Sequence, residues 1–172
     1  MSGKLTLVIG GAASGKSAFA EELVVKSERN RLYLATARVL DDEMVAKVAR
    51  HKKLRGAGWK TLETPLDPQT ALQGCTDKDM VLLDCATMWL MNHLMDETDM
   101  GAARADLVKG LTDCAADCVI VTNELGLGLV PADALSRRFR QEQGELNQVL
   151  AAQADTVYNI IAGLPQILKG NA

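Results

Sequence analysis

An α/β domain, with a mostly parallel sheet and helices on both faces, is the architecture this sequence predicts. Three observations carry the prediction. Short aliphatic and β-branched runs alternate with longer amphipathic stretches along the chain. Several of those short runs, MVLLD above all, are continuously apolar, the pattern of a strand covered on both faces. The 172 residues suit a single domain over 1–172, and no linker, low-complexity tract or internal repeat interrupts them.

In chain order, KLTLVIG (Lys4 to Gly10) reads as a buried strand and SAFAEELVVKS (Ser17 to Ser27) as a helix. RLYLAT (Arg31 to Thr36) is a second strand. Asp41 or Asp42 suits the cap of a helix running to about Leu54. KTLE (Lys60 to Glu63) is a weak strand. Pro68 at a first helical position and Gly74 at an end frame a short helix. MVLLD (Met80 to Asp84) is a strand, and ATMWLMNHLM is a buried helix in which His93 is a packed or rim residue. A helix from about Ala102 to Ala116 leads into the strand CVIVT (Cys118 to Thr122). After the loop NELGLGLVP comes a long helix from about Ala132 to Ala154, and TVYNII (Thr156 to Ile161) closes the domain.

Composition narrows the function. Apolar residues are 48% and charged residues 24%, while aromatics are 3%, so Leu, Val, Ile, Ala and Met must fill the core. A net charge of −3 argues against a nucleic-acid wrapper. No apolar stretch reaches membrane-spanning length and no leader precedes the first strand, so the chain is expected in the cytoplasm with no membrane span. Cys75, Cys85, Cys114 and Cys118 form no CxxC pair. Cys114 and Cys118, one helical turn apart, read as reduced thiols on a packed helix face rather than as a metal site.

Directly after the first strand stands GGAASGKS, Gly10 to Ser17, which fits GxxxxGK[ST]. Glycines let the backbone N–H groups of Gly10, Gly11, Ala12, Ala13, Ser14 and Gly15 converge on phosphate oxygens. The following helix aims its positive end at the same anion. Lys16 reaches the β and γ phosphates, and the Ser17 hydroxyl ligates Mg²⁺. Such a loop wants an acid at the end of a neighbouring strand, and Asp84, closing VLLD, fits the Mg²⁺ side. The chain is therefore expected to bind a nucleoside triphosphate. The guanine-reading NKxD of switch GTPases is absent, since TNEL lacks both its lysine and its aspartate.

Beyond this loop, DDEM followed by RHK…R…GW, together with LLDC and VTNELGLGLVP, closely resembles the bifunctional adenosylcobinamide kinase / adenosylcobinamide-phosphate guanylyltransferase family of cobalamin biosynthesis. The resemblance runs from about Leu5 to the final strand. It implies a RecA-like P-loop fold assembled as a homotrimer. It also implies phosphorylation of the aminopropanol hydroxyl of adenosylcobinamide by a nucleoside triphosphate, ATP or GTP, and then GMP transfer from GTP through a histidine–GMP intermediate.

By position in the motif that histidine is His51, flanked by Arg50, Lys52, Lys53 and Arg55. Surrounding positive charge disfavours imidazolium and leaves a ring nitrogen its lone pair. The resemblance likewise places Thr36, Ala37, Arg38, Lys52, Lys53, Leu54, Arg55, Glu63 and Asp84 around the nucleotide. For Thr36, Ala37 and Arg38 an ordinary strand exit remains the alternative, and for Glu63 a solvated strand end. Asn123 or Glu124 could face the corrinoid acceptor, and Arg137, Arg138 and Arg140 read as a solvated face. The chain departs from the family at Ala13 and Gln141, where relatives usually carry Arg and Asp, and at Gly56, where they often carry Pro. A plain small-molecule kinase and a nucleotide-sensing module without chemistry are the competing functions. Covalent labelling by GTP separates the first from the family reading, and turnover of cobinamide separates the second.

Overall fold

The computed structural model describes residues 2–38 and 42–171. Along the chain run β1 (Leu5–Gly10), α1 (Lys16–Lys26), β2 (Asn30–Ala35), α2 (Asp42–Arg55), β3 (Trp59–Glu63), α3 (Pro68–Gln73) and β4 (Asp79–Asp84). Then come α4 (Ala86–Met95), α5 (Met100–Asp113), β5 (Asp117–Asn123), α6 (Ala134–Gln153), β6 (Thr156–Ile161) and β7 (Leu164–Lys169). The strands form one sheet in the order β3-β2-β4-β5-β1-β6-β7. The first six are parallel, and only β7 runs antiparallel, against β6.

Strand alternation divides the core into two layers. Leu7, Leu34, Leu83 and Ile120 face one side, where Leu72 of α3, Trp89 of α4, Leu107 of α5 and Leu146 of α6 cover them. Val8, Leu82, Val119 and Val121 face the other, under Ala20 and Val24 of α1. Each such fully buried aliphatic side chain stabilises by about 1.5–3 kcal/mol. Among the described residues three helices begin on an aspartate side chain that accepts a backbone N–H: Asp67 from Thr70, Asp99 from Ala102 and Asp133 from Ser136. Asp41, one of two expected caps for α2, lies outside the described residues.

Three features differ from the sequence reading. The chain does not close at Ile161. Ala162 and Gly163, with φ of 53° and 79°, make the two-residue turn of a hairpin, and β7 follows. Every residue of β7 is exposed, so it carries no buried pattern, and Pro165 is tolerated because the strand is an edge. Second, Cys114 and Cys118 do not share a helix: α5 stops at Asp113, Cys114 is extended, and Cys118 already belongs to β5. Both are buried free thiols with sulfurs 3.8 Å apart. Third, Asp84 does not end a strand adjoining β1, because β5 intervenes.

All five strand ends that matter for the site, Gly10, Ala35, Glu63, Asp84 and Asn123, lie along one carboxyl edge of the parallel sheet. In open α/β sheets ligands bind at that edge.

Candidate active site

The loop from Gly10 to Lys16 is shaped to hold an anion. Gly15 takes φ 93°, and no side-chain cap closes the start of α1, so the positive end of the helix faces the loop. Lys16 Nζ donates to the Gly11 carbonyl at 3.0 Å and so spans the loop. Ser14 Oγ is buried and has no hydrogen-bond partner among the described groups. The Gly163 N–H donates to the Ser14 carbonyl at 2.8 Å, so the β6–β7 turn braces the loop from behind. Ala13 adopts φ 55° without being glycine, a strain of roughly 1–2 kcal/mol.

Asp84 ends β4 beside the loop, with its carboxyl buried. Burial holds its carboxyl above the usual range; hydrogen bonds from Tyr33 and Ser17, with the nearby His51 and Lys16, pull it back down. The Tyr33 phenol donates to Asp84 Oδ2 at 3.2 Å, and burial beside that carboxylate keeps the phenol protonated. Glu21, one turn beyond Ser17 on α1, joins the group. Its carboxyl is raised by burial, lowered by Arg55 and raised again by Asp84. The Cys85 thiol, next in the chain, is pushed up to about 11 by burial first and by Asp84 second, so it stays neutral.

His51 reaches this group from α2. Among the described side chains of α2 only His51 and Arg55 are half-buried; the others, Lys52 and Lys53 included, are exposed. A spacing of four places His51 and Arg55 on one face, one turn apart. The Leu54 side chain lies outside the described residues. The Arg55 guanidinium stacks 3.4 Å from the Tyr33 ring centroid and 5.5 Å from that of Trp59. Gly56 takes φ 76°, a conformation closed to proline.

The remaining expected residues are placed as follows. Thr36 is fully buried, and its hydroxyl donates to the Cys85 carbonyl while accepting the Cys85 N–H, both at 2.8 Å. It thereby fixes the backbone that presents Asp84. Ala37 is half-buried beside it. Arg38 forms a bidentate pair with Asp96, at 2.7 and 2.5 Å. Glu63 is exposed at the end of β3 and lines an open groove of about 500 Å³ with Thr64, Pro65 and Leu66. The Glu124 N–H donates to the Gly10 carbonyl at 3.1 Å, which seats the NELGLGLVP loop against the phosphate loop. Arg137 and Arg138 are exposed and Arg140 is half-buried; Arg137 donates to the Pro131 and Ala132 carbonyls and Arg140 to those of Leu129 and Gly126, holding that loop.

Comparison with known proteins bears on this arrangement. Residues 6–168 match the family described as cobinamide kinase / cobinamide phosphate guanyltransferase. The chain belongs to that family. Its relatives include the bifunctional adenosylcobalamin biosynthesis protein CobP of Pseudomonas aeruginosa, 41% identical over 95% of this chain and 96% of the relative. The bifunctional adenosylcobalamin biosynthesis protein CobU of Salmonella typhimurium is 38% identical over 96% of this chain and 99% of the relative. The flagellar accessory protein FlaH of Methanocaldococcus jannaschii, 16% identical, superposes with a TM-score of 0.53 over 99% of this chain and 80% of that one. A type III secretion ATPase, 12% identical, does so with 0.61 over 96% and 57%. These two show a shared P-loop fold.

This member of the cobinamide kinase / guanyltransferase family offers a divalent cation few protein ligands. Among the described residues no three His, Cys, Asp or Glu side chains cluster as a metal cage. One buried carboxylate with the Ser17 hydroxyl beside it does fit Mg²⁺, which is usually held by few protein ligands plus substrate phosphates. Glu21, Tyr33 and Trp59 were missed by the sequence reading. The signal for Glu21 was legible, since Ser17 and Glu21 are four apart on one helix. Tyr33 and Trp59 are joined only by the pairing of β2 with β3.

Proposed function

We propose that both activities of this family member run through the one edge of the sheet where Lys16, Ser17, Asp84 and His51 meet. The chain is a bifunctional cobinamide kinase and cobinamide-phosphate guanylyltransferase of adenosylcobalamin biosynthesis. In the kinase step the aminopropanol hydroxyl of adenosylcobinamide attacks the γ-phosphorus of ATP or GTP, and the nucleoside diphosphate leaves. Lys16 and the N–H groups of the loop neutralise the phosphate oxygens as charge moves onto them. Ser17 and Asp84 would hold Mg²⁺, which supplies charge neutralisation at the phosphates.

In the second step a ring nitrogen of His51 attacks the α-phosphorus of GTP. An N–P bond forms, the α–β phosphoanhydride bond breaks, and pyrophosphate departs. The cobinamide phosphate oxygen then attacks the same phosphorus, the N–P bond breaks, and His51 is restored. Exposed Lys52 and Lys53 lie next to His51 and suit the phosphate oxygens, and the groove beside Glu63 suits the guanine. The reading includes a homotrimer, supported by Leu127 and Leu129, which are 92% and 95% exposed on the loop after β5. It also includes a cytoplasmic location; among the described residues no helix is long and apolar enough to cross a membrane.

The observation that carries the proposal is the approach of His51, one of two half-buried side chains among those described on α2, to the acid beside the phosphate loop. The test is incubation with α-labelled GTP and Mg²⁺, followed by denaturation. Wild-type protein is expected to retain acid-labile, base-stable label, and His51→Asn to retain none. Label on both proteins, or on neither, refutes the covalent route.

A further inference from the structure

The motif around His51 does not end at the histidine. It continues to an arginine four residues on and, past two glycines, to a tryptophan. Nucleophilic attack by His51 uses none of these. The structure brings them together on one face of the sheet. Gly56 and Gly58, with φ of 76° and 88°, reverse the chain so that Trp59 opens β3 close to the end of α2. Arg31 pairs with Trp59 and Tyr33 with Thr61, so Tyr33, Trp59 and Thr61 share a face. The two rings meet edge to face with centroids 6.1 Å apart. Over them lies the Arg55 guanidinium, with Nη2 3.5 Å from the Thr61 hydroxyl.

We infer that Arg55 is a positioning residue for guanylylation: its stack on Tyr33 and Trp59 fixes the last turns of α2 and thereby the approach of His51 to the α-phosphorus. This rests on the reading of His51 as nucleophile. Three observations support it. Among the described side chains of α2 only His51 and Arg55 are half-buried, and Arg55 is the one that stacks on the rings of β2 and β3. Arg55 Nε and Trp59 Nε1 are buried with no hydrogen-bond partner among the described groups. Stability alone disfavours two such groups, because a buried unsatisfied donor costs more than an apolar replacement of the same shape. And Tyr33 is shared: its ring carries Arg55 while its phenol donates to Asp84. One side chain thus sets the α2 end and the phosphate-loop acid in the same frame. The planar guanidinium matters here, since lysine keeps the charge but cannot stack.

Two rates measured on wild type, Arg55→Lys, Trp59→Leu and the double variant test this. One is the formation of protein-bound label from α-labelled GTP; the other is phosphorylation of cobinamide by ATP, which needs the phosphate loop but not His51. Each single variant is expected to slow label formation by about tenfold or more, since small misplacements of a reacting group cost that much. Cobinamide phosphorylation is expected to fall several-fold less than label formation, and the double variant to label no more slowly than the worse single one. Label formation at the wild-type rate in Arg55→Lys overturns the positioning role and leaves His51 standing. An equal fall of both rates, accompanied by a lowered melting temperature, shows a structural role only and overturns it too. Absence of label from the wild type overturns the His51 reading itself, and the inference with it.

Discussion

A methyl group at Gly10 would lie 2.4 Å from Ser14 Oγ and 2.9 Å from the Ile160 carbonyl oxygen. Overpacking of this kind costs about 1–3 kcal/mol. Gly10→Ala is therefore expected to weaken triphosphate binding by about tenfold or more, read by titration calorimetry. Unchanged affinity would show that the loop opens freely. Asp84 sets function against stability. Its folded carboxyl is raised, chiefly by burial, so the native state carries the charge at a cost once pH exceeds the unfolded value of about 4. Asp84→Asn should raise the melting temperature near neutral pH, with the gain vanishing below about pH 4, where both states of the wild type are protonated. Turnover should fall by about 10²-fold. A variant that is both less stable and fully active would contradict this account of Asp84. These residues were legible in the sequence because GxxxxGKS and VLLD each carry their chemistry within a few positions. Arg38 was not fully legible. Its partner Asp96 stands 58 residues away, brought near only when β2 and α4 meet at one edge of the sheet.

At the scale of elements, α6 shows how local signals and packing divide the work. Asp133 accepts the Ser136 N–H at 2.7 Å and starts the helix. Asp133→Ala is expected to lower unfolding stability by about 1 kcal/mol in urea titration; a change indistinguishable from zero would mean the helix is held by packing alone. That packing includes a buried polar knot. Gln143 Nε2 donates to Thr122 Oγ1 at 2.9 Å, and Asn147 Nδ2 donates to the Asn123 carbonyl at 3.0 Å, tying the helix to the exit of β5. From there Arg137 and Arg140 hold the following loop, while Arg137 and Arg138 stay exposed as expected of a solvated face. The weak strand at Lys60 proved to begin at Trp59, and α2 to reach Arg55. Both extensions matter because they carry the two ends of the cation–π stack.

Across the whole molecule, His93 joins elements far apart in sequence. Its Nε2 donates to the Leu66 carbonyl at 3.1 Å and its Nδ1 meets the Thr98 hydroxyl at 2.7 Å, while Asn92 donates to the Thr36 and Pro65 carbonyls. Burial lowers the His93 pKa, partly offset by the Leu66 hydrogen bond and Asp96. A depressed folded value means stability that is complete above the unfolded pKa of about 6.5 and is lost as pH falls through the folded one. The urea midpoint should thus drop between about pH 7 and about pH 5, and drop less in His93→Gln; equal drops would absolve His93. Residue order alone dictated the alternation of strands and helices, the phosphate-loop motif and the family, because each is written within short segments whose neighbours are covalent. Strand order, the hairpin that braces the loop, and the meeting of Glu21, Tyr33, Arg55 and Trp59 beside Asp84 came from folding. Those contacts depend on which strands lie side by side, and parallel pairing joins segments whose separation along the chain encodes no register.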